Sequence, residues 1–417
     1  MRVLVIWALV LLLCLQGVVI AQDDSAEVTE TPDPPITLTI WWPDSIARIN
    51  DSDIHPALLL QADAFAAQHA NLTFDHRLKP TGGQTGSIMS TLRSASNAAQ
   101  GALPTLTLIR RQDLLTARAN GYLRSLEGFP SSVQLDLNNA LSLGQIEDEL
   151  YGIPYFLELQ HVVYRPQENV DYEDWSFDGV LEREQGIIFP AGRTSSLNDV
   201  VALQYVNVSD ENTSDAVITF DEGAVSDIFT YYQASVDMGL LSGEILNFNT
   251  VTGYFPNFVA GDIDSAVMTS TQYLALLNEQ TSDDDEDSVI AIAPIPTASG
   301  DTSTFLNGWM WVMIAENPRE QEIAIDYIEY LLAPERHAEV GQELGLLPSR
   351  ERSITQTLSN PEDVAFYLEL IENGLLPLTD SNIGVVGRTI QTQFATILTL
   401  EQTAEDALQA VIDAVGG

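Results

Sequence analysis

Residues 36–120 alternate short β-branched runs with helical runs, and this alternation limits what the chain can fold into more than any other feature. Residues 36–42, ITLTIWW, read as a strand closed by Pro43 and Asp44. His55-Pro56 opens a helical run with Leu58, Leu59, Ala62, Phe65 and Ala66 at its apolar positions. A second strand is predicted over 71–78. The loop Lys79-Pro-Thr-Gly-Gly-Gln-Thr-Gly86 then leads into a helix from about Ser87 to Ala99. Residues 103–109 form a third strand, and a further helix over 111–120 is closed by Gly121. Strands joined through helices cannot pair as hairpins. The expectation is therefore an α/β fold on a parallel or mixed sheet.

Residues 305–350, FLNGWMWVMIAENPREQEIAIDYIEYLLAPERHAEVGQELGLLPSR, are punctuated as sharply. The first eleven are apolar and rich in Trp, Met and Val, as a buried strand should be. Asn317 fits an N-cap, Pro318 the first helical position, and Glu320 completes a capping box. Ile323, Ala324, Tyr327, Ile328, Leu331 and Leu332 share one face of that helix. Pro334 interrupts it, and a second helix begins near Glu335. Gly345 supplies the positive φ that ends the second helix, and Pro348 prevents its resumption. Elsewhere Asp221 caps a helix to about Met238, Asn360-Pro361 repeats the Asn-Pro start, and Thr403 precedes a last helix over 404–415.

In this order the elements resemble the carbohydrate-type extracellular solute-binding proteins of ABC importers, the family 1, maltose-binding-protein-like group. The first lobe of that family is matched by strand, helix, strand, Gly-loop helix, then "LPTLTLI" and "NGYLRSLEGF". Residues 150–165, LYGIPYFLELQHVVYR, resemble its first interlobe crossing. Residues 187–196, 254–273 and 289–296 resemble second-lobe elements. One departure is Pro104-Thr105, where the family usually has Pro-Asp. No single motif is specific, but the ordered set is, and it runs from about Ile36 to Gly417. The resemblance implies a two-lobe periplasmic-binding-protein-like fold, each lobe a mixed sheet flanked by helices, joined by about three hinge crossings. It implies a first lobe of 36–153 plus 303–346 and a second of 154–302 plus 347–417, with the chain re-crossing near Pro348.

The N-terminus suits export. Arg2 precedes an apolar run over 3–20, and Val19-Ile20-Ala21 fits a cleavage site, so 1–21 is expected to be a signal peptide. Two alternatives stand beside it: a retained anchor, because the run approaches spanning length, and lipidation through Cys14, although Leu13 precedes it where lipoprotein signals prefer Gly or Ala. Residues 22–35 are acidic, then Pro-rich, and read as a disordered spacer. The protein is expected outside the cytoplasm, extracellular or periplasmic, with membrane tethering as the alternative. Cleavage would remove the only cysteine, leaving no disulfide, thiolate metal site or cysteine nucleophile.

Sixty acidic against seventeen basic residues give a formal net charge of −43. Such a surface repels phosphate backbones and argues against nucleic acid as a partner. Lys79 is the sole lysine. An acidic, lysine-poor surface is expected where salt is high, because salt screens the repulsion.

The chemistry-bearing motifs of common enzymes are missing: no Gly-x-Ser-x-Gly, no His-Glu-x-x-His, no Gly-x-x-x-x-Gly-Lys. The five histidines are scattered. Asp283-Asp-Asp-Glu-Asp287 lacks EF-hand spacing and reads as a solvated loop. No metal, cofactor or catalytic residue is expected. The aromatic residues carry more information. A sugar site needs flat aromatic faces for C–H surfaces and carboxylates or amides for hydroxyls. Candidates sit where strands end, the rim at which open α/β sheets bind ligands. Trp42 and Asp44 close the first strand, and Gln84 lies in the Gly loop. Tyr155 and Glu158 flank the first crossing, Arg193 lies in a second-lobe loop, and Tyr254, Ser270 and Tyr273 flank later elements. Asn307 and Trp309 open the return strand. Each competes with plain core packing. Trp41 and Trp42 point to opposite sides of one strand, so only one can meet a ligand closely, and Trp311, deeper than Trp309, reads as core.

By resemblance, a small-molecule ligand, a sugar or oligosaccharide, is captured by cleft closure and delivered by a monomer to ABC permease transmembrane subunits. The alternatives are a secreted glycosidase-like enzyme, which would need two carboxylates facing across the cleft, and a receptor feeding a sensor.

Overall fold

The structure, a computed structural model, describes residues 34–50, 53–98, 100–192, 196–208, 218–280 and 289–415. The predicted signal peptide, Arg193 and the 283–287 acidic run lie outside them. Contacts divide the chain into Met1–Pro35 and Ile36–Gly417, and the strands and helices named here belong to the second unit.

Two sheets organise that unit. The strands of the first are β1 (Ile36–Pro43), β2 (Leu72–Lys79), β3 (Leu106–Ile109) and β4 (Gly152–Leu157); the second sheet has β5 (Gln160–Tyr164), β6 (Ser265–Thr269) and β7 (Ala291–Ala293); β8 (Gly308–Met313) and β9 (Leu347–Pro348) return to the first. The six-stranded order is β9-β4-β8-β3-β1-β2, and the three-stranded order is β6-β5-β7. β1 runs parallel to β2 and β3, with Ile36 opposite Leu72 and Ile40 opposite Leu106, as strands linked through helices must. β8 is antiparallel to both β3 and β4, which makes the first sheet mixed.

Strand alternation places Trp41 and Trp42 in different cores, one on each face of the first sheet. Trp42 is fully buried; its Nε1 donates to His76 Nδ1 at 3.0 Å and its ring meets Trp311 edge-on at 5.1 Å. The core of the second sheet gathers Val162, Val267, Phe189, Phe229, Tyr232 and Phe394. The helix cap and terminator form as their residues dictate, although Glu320 accepts from the Asn317 side-chain amide at 3.3 Å and does not close a capping box on its backbone. Asn317 accepts from the Arg319 amide at 3.0 Å at the start of Pro318–Leu331, and Gly345 takes φ 64° at the end of Pro334–Leu344.

Among the described residues three chain segments link the sheets, and they lie side by side. The first joins β4 to β5; there Ser270 Oγ accepts from the Leu159 amide at 3.2 Å and donates to the Leu157 carbonyl at 3.3 Å. The second leads into β8; the Glu158 amide donates to the Asn307 carbonyl at 2.8 Å, and Thr304 Oγ1 to the Gln160 carbonyl at 2.9 Å. The third passes Leu375, whose amide donates to the Thr304 carbonyl at 2.9 Å. The sequence reading differs here. Pro348 is no crossing point: β9 pairs with β4 at the edge of the six-stranded sheet, Leu347 opposite Leu157. Lacking an N–H, a proline is tolerated on such an edge. The chain leaves only after Gly374, for the helix Asp380–Leu398, whose Ile390, Phe394 and Ile397 enter the second core. A lobe limit between 153 and 154 would likewise cut β4, which lies whole in the first sheet.

Candidate functional site

The strand directions bring four side chains to one rim. β3 and β4 both run antiparallel to β8, so their C-terminal ends meet its N-terminal end. Arg110 follows β3, Glu158 follows β4, Asn307 precedes β8 and Trp309 opens it. Arg110 Nη2 donates to Glu158 Oε2 at 2.7 Å, and the guanidinium carbon lies 4.8 Å from the Trp309 ring centroid. The ion-paired side chains are 35% and 27% exposed. At that exposure the pair contributes about 0–1 kcal/mol, and the guanidinium–ring contact about 0.5–1 kcal/mol. Trp309 is 5% exposed, and its buried Nε1 has no acceptor within the protein.

Two chambers open from this rim. One, of about 600 Å³, lies on the first sheet's side and is walled by Thr81, Gly82, Gly83, Ser90, Arg93, Asp113 and Trp309, with Arg110. Burial raises the Asp113 carboxyl above the usual carboxylate range, while neighbouring Arg110 pulls it back. The second, of about 360 Å³, lies between the sheets. Arg110, Glu158, Gln160 and Asn307 wall it from the first-sheet and hinge side, and Asp199, Asn249, Thr250, Thr252, Thr269 and Gln272 from the other. Carboxylates, amides and hydroxyls thus face one another across a gap, a donor and acceptor set suited to a neutral, hydroxyl-rich solute.

Of the residues singled out by sequence, Glu158, Asn307 and Trp309 come together here. Asp44 acts one step back: its Oδ1 accepts from the Thr81 amide at 3.1 Å and from Thr81 Oγ1 at 3.3 Å, fixing the loop that walls the larger chamber. Gln84 is exposed on that loop, its Nε2 donating to the Thr81 carbonyl at 3.4 Å, and it does not line the chamber. Trp42 offers no surface to a solute. Tyr155 is buried and stacked on His337 with centroids 4.9 Å apart. Tyr254 is buried and donates to the Val267 carbonyl. Tyr273 is buried and donates to Asp363 Oδ2 at 2.7 Å. Ser270 pins the hinge. Arg193 lies outside the described residues.

Arg110, Gln160, Asp199, Thr269 and residues 249–252 were not picked out by the sequence. Arg110 carried a usable signal, because it directly follows a predicted strand on the rim side. Nothing in the pattern around Asn249 marks it; tertiary packing alone brings that turn to the cleft. Among the described residues no group of three metal-ligating side chains occurs, and no helix is long and apolar enough to cross a membrane.

Two α/β sheets joined by three adjacent chain segments, with a polar cleft where the segments pass, define a ligand-capturing protein of two lobes. The chain belongs to the bacterial extracellular solute-binding proteins, whose family profile matches residues 61–365. That membership places it outside the cytoplasm and makes it a binding protein; the glycosidase reading falls away. No curated protein matches its sequence. Solved structures are similar in fold at low identity. The cyclic α-maltosyl-1,6-maltose binding protein of Arthrobacter globiformis is 17% identical, with TM-score 0.65 over 91% of this chain and 98% of that one. The sugar-binding protein MalE of Xanthomonas citri is 14% identical, with TM-score 0.65 over 91% and 96%. A family 1 extracellular solute-binding protein of Alicyclobacillus acidocaldarius is 16% identical, with TM-score 0.66 over 91% and 98%. These likenesses show the two-lobe periplasmic-binding-protein fold.

Proposed function

We propose that the protein is a monomeric carbohydrate receptor that captures a saccharide in the cleft and delivers it to an ABC permease. The observation that carries this is the rim itself: Glu158 and Asn307 face the amides and hydroxyls of Asn249, Thr250, Thr252 and Gln272 across the cleft, and Trp309 walls the adjoining chamber behind Arg110. An indole face suits the C–H surface of a sugar, and the polar wall suits its hydroxyls. The names of the Arthrobacter and Xanthomonas structures, which concern maltosyl and sugar ligands, point the same way. Closure would turn the lobes about the three adjacent segments that link the sheets. A ligand touching both walls then favours the closed form by its differential affinity for that form. Residues 1–21 act as the export signal, with cleavage after Ala21.

A thermal-shift panel tests this. Saturating saccharide at about a hundred times Kd should stabilise the protein by about 2.7 kcal/mol, and calorimetry should give saturable binding. Stabilisation by amino acids, peptides or metal ions, with silence across mono- and oligosaccharides, would overturn the carbohydrate assignment.

A further inference from the structure

The two chambers are walled by different residues with one exception: Arg110 belongs to both. Its guanidinium is held between the face of Trp309 and the carboxylate of Glu158. We propose that Arg110 is a movable partition between two saccharide subsites, so that its position sets the length of saccharide the receptor accepts. The proposal rests on the carbohydrate reading above.

Main-chain bonds hold the backbone at the rim, whereas the side chains there are held by a partly exposed ion pair and a ring contact. Arg110 directly follows β3, and its carbonyl accepts from the Leu114 amide at 2.9 Å; the Glu158 amide is bonded to the Asn307 carbonyl at 2.8 Å. The ion pair is about one-third exposed, and both its anchors are of the weak, solvent-screened kind. With the partition in place, a ligand between the lobes meets the 360 Å³ cleft, and the Trp309 face is covered. With the guanidinium swung aside, the 600 Å³ chamber joins the cleft, and the indole face becomes available. Each chamber alone falls in the roughly 300–1,000 Å³ range of small-molecule sites. Short saccharides fit without displacing Arg110. Longer ones must displace it, and they gain the indole when they do.

Arg110→Ala removes the barrier, and Glu158→Gln loosens it. Wild type and both variants are titrated calorimetrically with gluco-oligosaccharides from disaccharide to hexasaccharide. Arg110→Ala should raise the hexasaccharide-to-disaccharide affinity ratio roughly tenfold, and Glu158→Gln should raise it less. Acrylamide quenching without any ligand supplies an independent readout. Arg110→Ala should gain a quenchable tryptophan that the Arg110→Ala, Trp309→Phe double variant lacks. An unchanged length ratio, or no gain in quenching, overturns the partition. Should wild type bind none of the series, the carbohydrate reading fails for glucans, and the quenching result alone decides for or against the partition.

Discussion

Acid should destabilise this protein well before its carboxylates titrate, and two buried histidines set the size of the effect. His161 and His337 are both fully buried. His161 Nδ1 donates to the Val162 carbonyl at 3.1 Å, and its Nε2 accepts from the Tyr367 hydroxyl at 2.8 Å, so the neutral ring is satisfied at both nitrogens. His337 Nε2 donates to the Tyr155 carbonyl at 2.5 Å, while its buried Nδ1 has no partner and could not place a second proton. Burial is the main cause in both: it lowers His161 from 6.5 to about 4 and His337 from 6.5 to about 3. The unfolded chain therefore binds protons that the folded chain refuses. Stability is full above pH 6.5 and is lost as pH falls toward the folded values. Each histidine contributes a slope that approaches about 1.4 kcal/mol per pH unit below the unfolded value, so the pair removes about 3 kcal/mol between pH 6.5 and 5. That is a large part of the roughly 5–15 kcal/mol that holds an ordinary domain. Protonation of surface carboxylates relieves the −43 repulsion, but it begins near pH 4–5, so the histidines win above pH 5. Urea denaturation of wild type, His161→Gln and His337→Gln at half-unit steps from pH 7.5 to 5 checks this. Each variant should start less stable and show a flatter pH slope, by about 1.4 kcal/mol per unit. A wild type whose stability is constant over that range, or variants with unchanged slope, would refute the argument.

Ser270→Ala should cost about 1–3 kcal/mol, because the buried Leu159 amide loses its acceptor in the hinge; an unchanged urea midpoint would show that another group replaces it. Trp42→Ala should cost about 3–5 kcal/mol as a core truncation yet leave saccharide affinity nearly intact in whatever protein still folds, whereas Trp309→Phe should weaken binding with the fold retained. A reversal of that pattern would move the site away from the rim. Melting temperature should rise from low to molar salt, since screening removes repulsion among sixty carboxylates; a flat or falling curve would count against a surface built for saline surroundings.

How far the sequence reached depends on whether its signals were local. The Asn317 and Asp221 caps, the Gly345 terminator and the β-α alternation act within a few residues, and each was legible because a single turn decides it. Pro348 misled because a proline that ends a helix looks the same whether the chain then crosses a hinge or pairs along a sheet edge. The site follows the same division. Trp309, Asn307 and Glu158 stand at strand ends that the sequence announces. Tyr155 lies within β4, Tyr254 precedes the short helix Phe255–Val259 and Tyr273 sits in the helix Ser270–Gln280; their rings are buried in the cores, and the hydroxyls of Tyr254 and Tyr273 meet the Val267 carbonyl and Asp363. Neither aromatic identity nor the side of the sheet separates the two outcomes, since Tyr155 and Trp309 share one core; Trp309 differs by also walling a chamber. Residues 249–252 reach the cleft only through packing of the second lobe, which no periodicity encodes.

The central claim is that ligand is held between the two lobes at the rim of Arg110, Glu158, Asn307 and Trp309. Hydrogen–deuterium exchange with and without the saccharide identified by thermal shift tests it most directly. Closure predicts protection on both walls at once, in residues 249–252 and in the strand ends around Glu158 and Trp309. Protection confined to one wall, or centred instead on the surface recess of Arg336, Arg350 and Arg352, would contradict it.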